Sequence, residues 1–228
     1  MFHGGYILAY ALGGVATIVI AFLWFSMTAP DKPRRAIAVM GSACPNSGFI
    51  GYPLMLLSVP EIAGTVLAMN MLVELLLVIP ICLILIDMAR AGEHRSLTQQ
   101  ILTNLVSVLR RPMVIGLLLG LVVSGLHLPM PRAVDTLFGV IAASASALSL
   151  IVIGGSLVGL PMRGNRALAL QISAAKLFLN PAMVFLAVMV VPFVGFAALS
   201  PDLFAALILS AAISMFGIYT VLAQESGL

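Results

Sequence analysis

Asn46 and Ser47 stand between Pro45 and Pro53 in the stretch SACPNSGFIGYPL, residues 42–54, inside an otherwise apolar run. An amide and a hydroxyl in such a run can bind a polar ligand only where the surrounding backbone is open. The prolines supply that opening: each lacks an N–H, so the carbonyl four residues earlier loses its helical partner. Gly48 and Gly51 add backbone freedom. In hydrocarbon an unpaired backbone group costs several kcal/mol, so the break persists only where protein or a water-filled cavity covers it. Discontinuous helices at bilayer depth are a recurrent way of building substrate and ion sites.

Two ionisable groups lie inside other apolar runs. Glu74 is near the middle of residues 63–86, and Asn70 lies four residues earlier on the same helical face. An ionised carboxylate there costs ~3 kcal/mol or more. Glu74 could bind a coupling proton or a cation such as sodium; a protonated Glu bonded to a neighbouring helix would serve structure instead. Lys176 lies within residues 167–191, with Asn180 and Pro181 following on the same face. Its amine could meet a substrate carboxylate, snorkel to headgroups or pair with an acid. Asn180 could simply satisfy backbone freed by Pro181. Near the C-terminus, SAAISMFGIYTVLAQESG from Ser210 is a weaker echo of the first break. Ser214 and Gly217 interrupt the apolar run, and Tyr219 and Thr220 supply hydroxyls. As a counterpart it suggests a second interrupted helix, which inverted repeats require.

The elements that must position these groups are membrane helices. The 228 residues are 62% hydrophobic and 8% charged, against roughly 25% charged in a soluble domain. The expectation is an all-α, polytopic protein whose partner is the lipid bilayer. About seven spans can be drawn at the length a bilayer demands: residues 5–25, 36–57, 63–86, 112–128, 133–158, 167–191 and 202–223. The first is too long for a cleavable signal peptide and lacks a positive leader. Between the third and fourth spans, Leu97, Ile101, Leu105 and Leu109 fall four apart opposite Gln99, Gln100, Thr103 and Asn104. This stripe reads as an interfacial helix joining two halves.

Loop charges give the orientation. Lys32, Arg34 and Arg35, then Arg90, Arg95, Arg110 and Arg111, then Arg163 and Arg166 occupy alternate loops, whereas the opposite loops carry only Arg132. The positive-inside rule places the N-terminus outside and the C-terminus in the cytoplasm. Small residues in the fourth and fifth spans, Gly116 and Gly120 and the ASASALS and GGS runs at 143–149 and 154–156, read as helix-packing surfaces or, for the fifth, as lining of a substrate path.

Other chemistries find little support. The net charge of +3 is scattered between spans rather than gathered in a stripe, so no nucleic-acid partner is expected. The methionines have no metal-ligand spacing, and the two cysteines, Cys44 and Cys82, form no ligand cluster. They read as buried small side chains, with a role for Cys44 beside the break as the alternative. Neither cofactor nor metal is expected. His3, His94 and His127 fall at or near loops, and no H-E-x-x-H or G-x-S-x-G occurs, so enzymatic catalysis is not expected either. Nor is there a Walker motif for ATP-driven transport.

CPNSGFIGYPL resembles the N-x-G-F-x-G-x-P signature of the auxin efflux carrier family, whose bacterial members include malonate and malate-type carriers. AAKLFLNPAMV resembles that family's Lys-Leu followed by a proline in its eighth helix. The stretch from Ser210 resembles its ninth helix, with Ser214 where a proline is usual and Ser226-Gly227 where Tyr-Gly is usual. The resemblance implies a bacterial inner-membrane permease with ten helices in two inverted repeats, crossing at the fourth and ninth. The spans here would be helices three to nine. Residues 1–87 would be an incomplete first repeat, 88–111 a cytoplasmic linker, and 112–228 a second repeat lacking its last helix. The chain would then be truncated at both ends. It would be a fragment, a split gene or a reduced form completed by a homo-oligomer or by a partner chain; the alternative is a non-transporting subunit or scaffold that needs a partner supplying the missing helices. Carried over by residue, Asn46, Ser47, Gly48, Gly51 and Pro53 would form one side of a site for a small organic anion, and Ser214, Gly217 and Tyr219 the other. Broken helices offer the positive ends of their dipoles to such an anion.

Overall fold

The computed structural model describes residues 3–89, 106, 110, 112–126, 129–157 and 166–215. The interfacial stripe at 97–109, most of the second basic loop, Arg163, Gly217 and Tyr219 lie outside the described residues or rest on neighbours that do. Among the described residues the elements are helices, with one isolated backbone bridge.

Helix α1, Gly4–Thr28, is 25 residues long, which at 1.5 Å per residue makes about 38 Å. Its buried residues, among them Tyr6, Tyr10, Gly13, Thr17, Ala21 and Phe25, recur at three- and four-residue intervals. Leu23, Trp24 and Met27 face outward, the side a helix in lipid leaves to the acyl chains. Gly13 sets the distance of the next helix: a Cβ added there would come within 2.6 Å of the Val184 Cα. Helix α2, Lys32–Ala43, starts at Asp31, whose carboxylate accepts from the Arg34 N–H at 2.8 Å and pairs with its guanidinium at 2.7 Å. This is the N-cap chemistry expected of aspartate before a first-turn proline. The helix stops at Ala43. The chain is extended at Cys44, re-enters a wide π turn at Ser47–Gly51, and continues as α3, Tyr52–Ser58.

Helix α4, Ala63–Ala89, contains a second π turn at Glu74–Val78. Helices α5, Pro112–Gly125, and α6, Arg132–Leu157, follow. Helix α7, Arg166–Val194, contains a third π turn at Ala175–Leu179 and ends in a 3-10 turn. Helix α8, Pro201–Ala212, is capped by the Ser200 hydroxyl, which accepts from the Leu203 N–H, and gives way to extended backbone at Ile213. Helices α1, α4 and α7 are long and apolar enough to cross a membrane; Ser47–Ser58 and Pro201–Ala212 are shorter apolar helices.

The three π turns share one cause. Each opens six residues before a proline: Ser47 before Pro53, Glu74 before Pro80, Ala175 before Pro181. In each, the residue just ahead of the proline donates its N–H to the carbonyl five residues back: Tyr52 to Ser47, Ile79 to Glu74, Asn180 to Ala175. A proline ring collides with the carbonyl four residues before it. Widening the turn makes room for the ring and keeps the preceding N–H bonded, so these helices survive their prolines. Such turns also swing a side chain out of its ordinary register, which is why they gather at functional sites. Ser47, Glu74 and Lys176 all lie on them.

The close packing expected at Gly116, Gly120 and Gly155 is not seen among the described residues. A Cβ added at Gly116, Gly120, Gly139 or Gly155 would meet nothing within 4 Å. Leu119, Val140 and Ile151 beside them are exposed. Gly116, Gly120 and Gly155 therefore do not serve as close-packing points among the described residues, although α6 lies beside the first π turn and Val114 of α5 is buried. A GxxxG pattern permits close approach but does not say which surface will approach.

Candidate functional site

The two interrupted segments meet. Pro45 and Met215 form an antiparallel bridge, and the Asn46 N–H donates to the Ser214 carbonyl at 2.9 Å. Sequence explains why each segment is free to do so. Pro45 ends the ladder of α2, and Cys44 and Ile213 are both extended, so each offers backbone groups a helix would have consumed. Asn46 then restarts the helix. Its carbonyl accepts from the N–H groups of Ile50 and Gly51 at 3.1 and 2.9 Å, and its side-chain oxygen accepts from the Phe49 N–H at 3.2 Å. A side chain at 51 would crowd the crossing, because an added Cβ would lie 3.0 Å from Ile213 Cδ1.

Polar side chains from four helices surround this point, in the apolar interior. Glu74 is 3% exposed, and its Oε1 accepts from the Tyr10 hydroxyl at 2.8 Å and from the Ser47 hydroxyl. Two donors on one oxygen hold the carboxyl group between α1 and the first break. Asn70, one turn earlier, accepts from the Tyr6 hydroxyl at 2.8 Å and donates to Ser210 Oγ at 2.8 Å. Lys176, 1% exposed, approaches the Ala43 carbonyl at 3.5 Å, the last residue of α2 before the break. Asn180 donates to the Ala211 carbonyl at 2.9 Å, and its Oδ1 lies 3.0 Å from the Thr17 hydroxyl, which also reaches the Gly13 carbonyl at 2.8 Å. Buried polar groups left unpaired cost more than paired ones return. These side chains therefore close off backbone groups at both breaks and fix the helices around them.

The residues expected to act together thus fall into two groups. Asn46, Ser47, Gly51, Asn70, Glu74, Lys176 and Asn180 are buried, around the crossing; Gly48 and Pro53 are half-buried on the same segment. Ser214 shares the backbone bond with Asn46 and is exposed. Gly217 and Tyr219 are not among the described residues. Snorkelling of Lys176 to the headgroups is overturned, since its amine points inward onto α2. The π turn before Pro181 carries Lys176 and sets its bearing, so that its amine meets the Ala43 carbonyl at the end of α2.

Sequence reading passed over Tyr6, Tyr10, Thr17 and Ser210. The signal existed on α1: Tyr6, Tyr10 and Thr17, with Gly13, form a single face at four- and three-residue spacing, a polar stripe in an apolar span. Ser210 lacked any such pattern. Among the described residues, no group of three or more His, Cys, Asp or Glu is placed to hold a metal ion.

In comparison with known families, the model of the family described as Membrane transport protein matches residues 6–228. No curated protein matches the chain.

Proposed function

We propose, because the chain belongs to the membrane transport protein family, that of the auxin efflux carriers, that it is a secondary carrier of small organic anions such as dicarboxylates. It is an integral membrane protein, and we place it in a bacterial inner membrane with its N-terminus outside. The observation that carries the reading is the Asn46–Ser214 backbone bond, which joins two helix interruptions inside a polar shell. In a rigid helix bundle such a crossing would be a costly defect. In a carrier it is where substrate meets helix ends.

On this reading the first break presents the N-terminal end of Ser47–Ser58 and the ammonium of Lys176 to a carboxylate. Both favour negative charge. Glu74 holds a coupling proton or sodium ion. The substrate displaces the weak contact of Lys176 with the Ala43 carbonyl, and alternating access follows from movement about the two breaks. The inverted-repeat architecture is part of the same proposal.

Uptake of radiolabelled malonate and malate into proteoliposomes tests it. Asn46→Ala removes the side chain that restarts the helix after the break. It should reduce uptake to background while the protein stays inserted and monodisperse. Uptake at the rate of the unaltered chain would refute the assignment.

A second reading is a subunit completed by a partner chain without transport of its own. That no described atom lies within 4 Å of a Cβ added at Gly116, Gly120, Gly139 or Gly155 favours it. Co-purification of a second membrane polypeptide under mild detergent, with no uptake by the isolated chain, would support it.

A further inference from the structure

Cys44 and Cys82 are the only cysteines of the chain. They come from segments 38 residues apart, and their sulfurs lie 3.9 Å from each other. Both are buried. Cys44 is the extended residue that ends α2, two positions before the Asn46 bond to the second segment. Cys82 lies on α4, two turns beyond Glu74 and just past Pro80. Nothing in the carrier reading uses this pair, yet it bridges the hinge of the first break and the helix that carries Glu74.

We propose that Cys44 and Cys82 form a reversible disulfide that pins the first break to α4. A disulfide needs its sulfurs at about 2.05 Å, so they must close by about 2 Å from the reduced separation. The extended backbone at Cys44 can supply that shift because no helical bond on its carbonyl side holds it. The oxidant is a lipid-soluble two-electron acceptor, an azo or quinone compound, suited to thiols in an apolar interior. Two S–H bonds break and one S–S bond forms. Two electrons and two protons pass to the acceptor, giving a hydrazine or a quinol. A thiol reductant reverses the step by exchange. Tying Cys44 to α4 restrains the segment from Pro45 to Gly51, the part of the chain whose rearrangement the carrier reading requires. The disulfide deepens that reading as its regulation, but its test does not depend on transport.

The experiment treats the purified full chain with diamide, counts alkylatable thiols by intact mass under denaturing conditions, and follows hydrogen exchange of residues 46–51. The expected result is loss of both thiols, a monomer lighter by two hydrogens, and exchange slowed by about tenfold or more at 46–51, all restored by dithiothreitol. Cys44→Ser and Cys82→Ser should each keep one thiol and show no change in exchange. Two alkylatable thiols after diamide, a disulfide only between chains, or a disulfide with exchange unchanged would each overturn the proposal. Absence of malonate or malate uptake would refute the carrier reading and leave these readouts intact.

Discussion

Glu74 has its two hydroxyl donors on a single oxygen, and neither donor is on its own helix. Tyr10 reaches it from α1 and Ser47 from the first break. Removing one donor leaves a buried carboxyl group with half of this support, and such a loss costs about 1–3 kcal/mol. Tyr10→Phe and Ser47→Ala should each lower the thermal unfolding midpoint of the purified chain, and Ser47→Thr, which keeps the hydroxyl, should lower it less. Because both donors meet one acceptor, the double variant should differ from the sum of the singles. Strict additivity would mean that the two bonds act independently and that the group is not held as a unit. Asn70 and Asn180 show the same economy. Each uses both ends of its amide, and each reaches α8 one residue apart, at Ser210 and Ala211.

Glycine allows one of the close helix approaches. Gly13 of α1 lies against the backbone of Val184 on α7, so the two helices touch almost main chain to main chain. Gly13→Leu must push them apart, and overpacking of this kind typically costs about 1–3 kcal/mol. A Cβ added at Gly120 of α5 would meet no described atom within 4 Å. Gly120→Ala there should be neutral or stabilising by about 0.5–1 kcal/mol, the ordinary helix preference of alanine over glycine. Thermal unfolding of the two variants in the same detergent distinguishes the sites. Equal destabilisation would show that α5 has a close neighbour in the protein as it stands in the membrane. The π turns belong at this scale too. Replacing Pro80 or Pro181 by alanine removes the reason for a widened turn, and the side chain it carries, Glu74 or Lys176, would rotate away from its partner.

On the seven-span reading, the path from Lys32 through the first break to Glu61 forms one interrupted crossing of the bilayer. The positive-inside expectation puts Lys32 inside and Glu61 outside, and both are exposed. In a Cys44→Ser, Cys82→Ser background, Lys32→Cys should react with a membrane-impermeant maleimide only in inside-out vesicles, and Glu61→Cys only in right-side-out ones. The reverse pattern would invert the orientation. Labelling of both from one side would mean that the interrupted helix does not cross.

Chain order alone determined much of this. Long apolar runs with few charges read as membrane helices, and Pro45 interrupts one, because the need to pair or cover a polar group in an apolar run is local; Pro53, like Pro80 and Pro181, is instead carried by a π turn in a continuing helix. Glu74 and Lys176 were legible as costly groups for the same reason. Their partners were not. Whether Lys176 turns toward headgroups or inward depends on which surface lies opposite, and the π turn before Pro181 changes that bearing. Ser210 gained its role from Asn70, 140 residues earlier in the chain, and Ser214 from Asn46 in the first break, while Gly116 and Gly120, which follow a packing pattern, meet no described neighbour. Local chemistry fixes where a helix must break; only the assembled bundle fixes what the broken ends find, because pairing across the interior is a property of two segments and neither one encodes it.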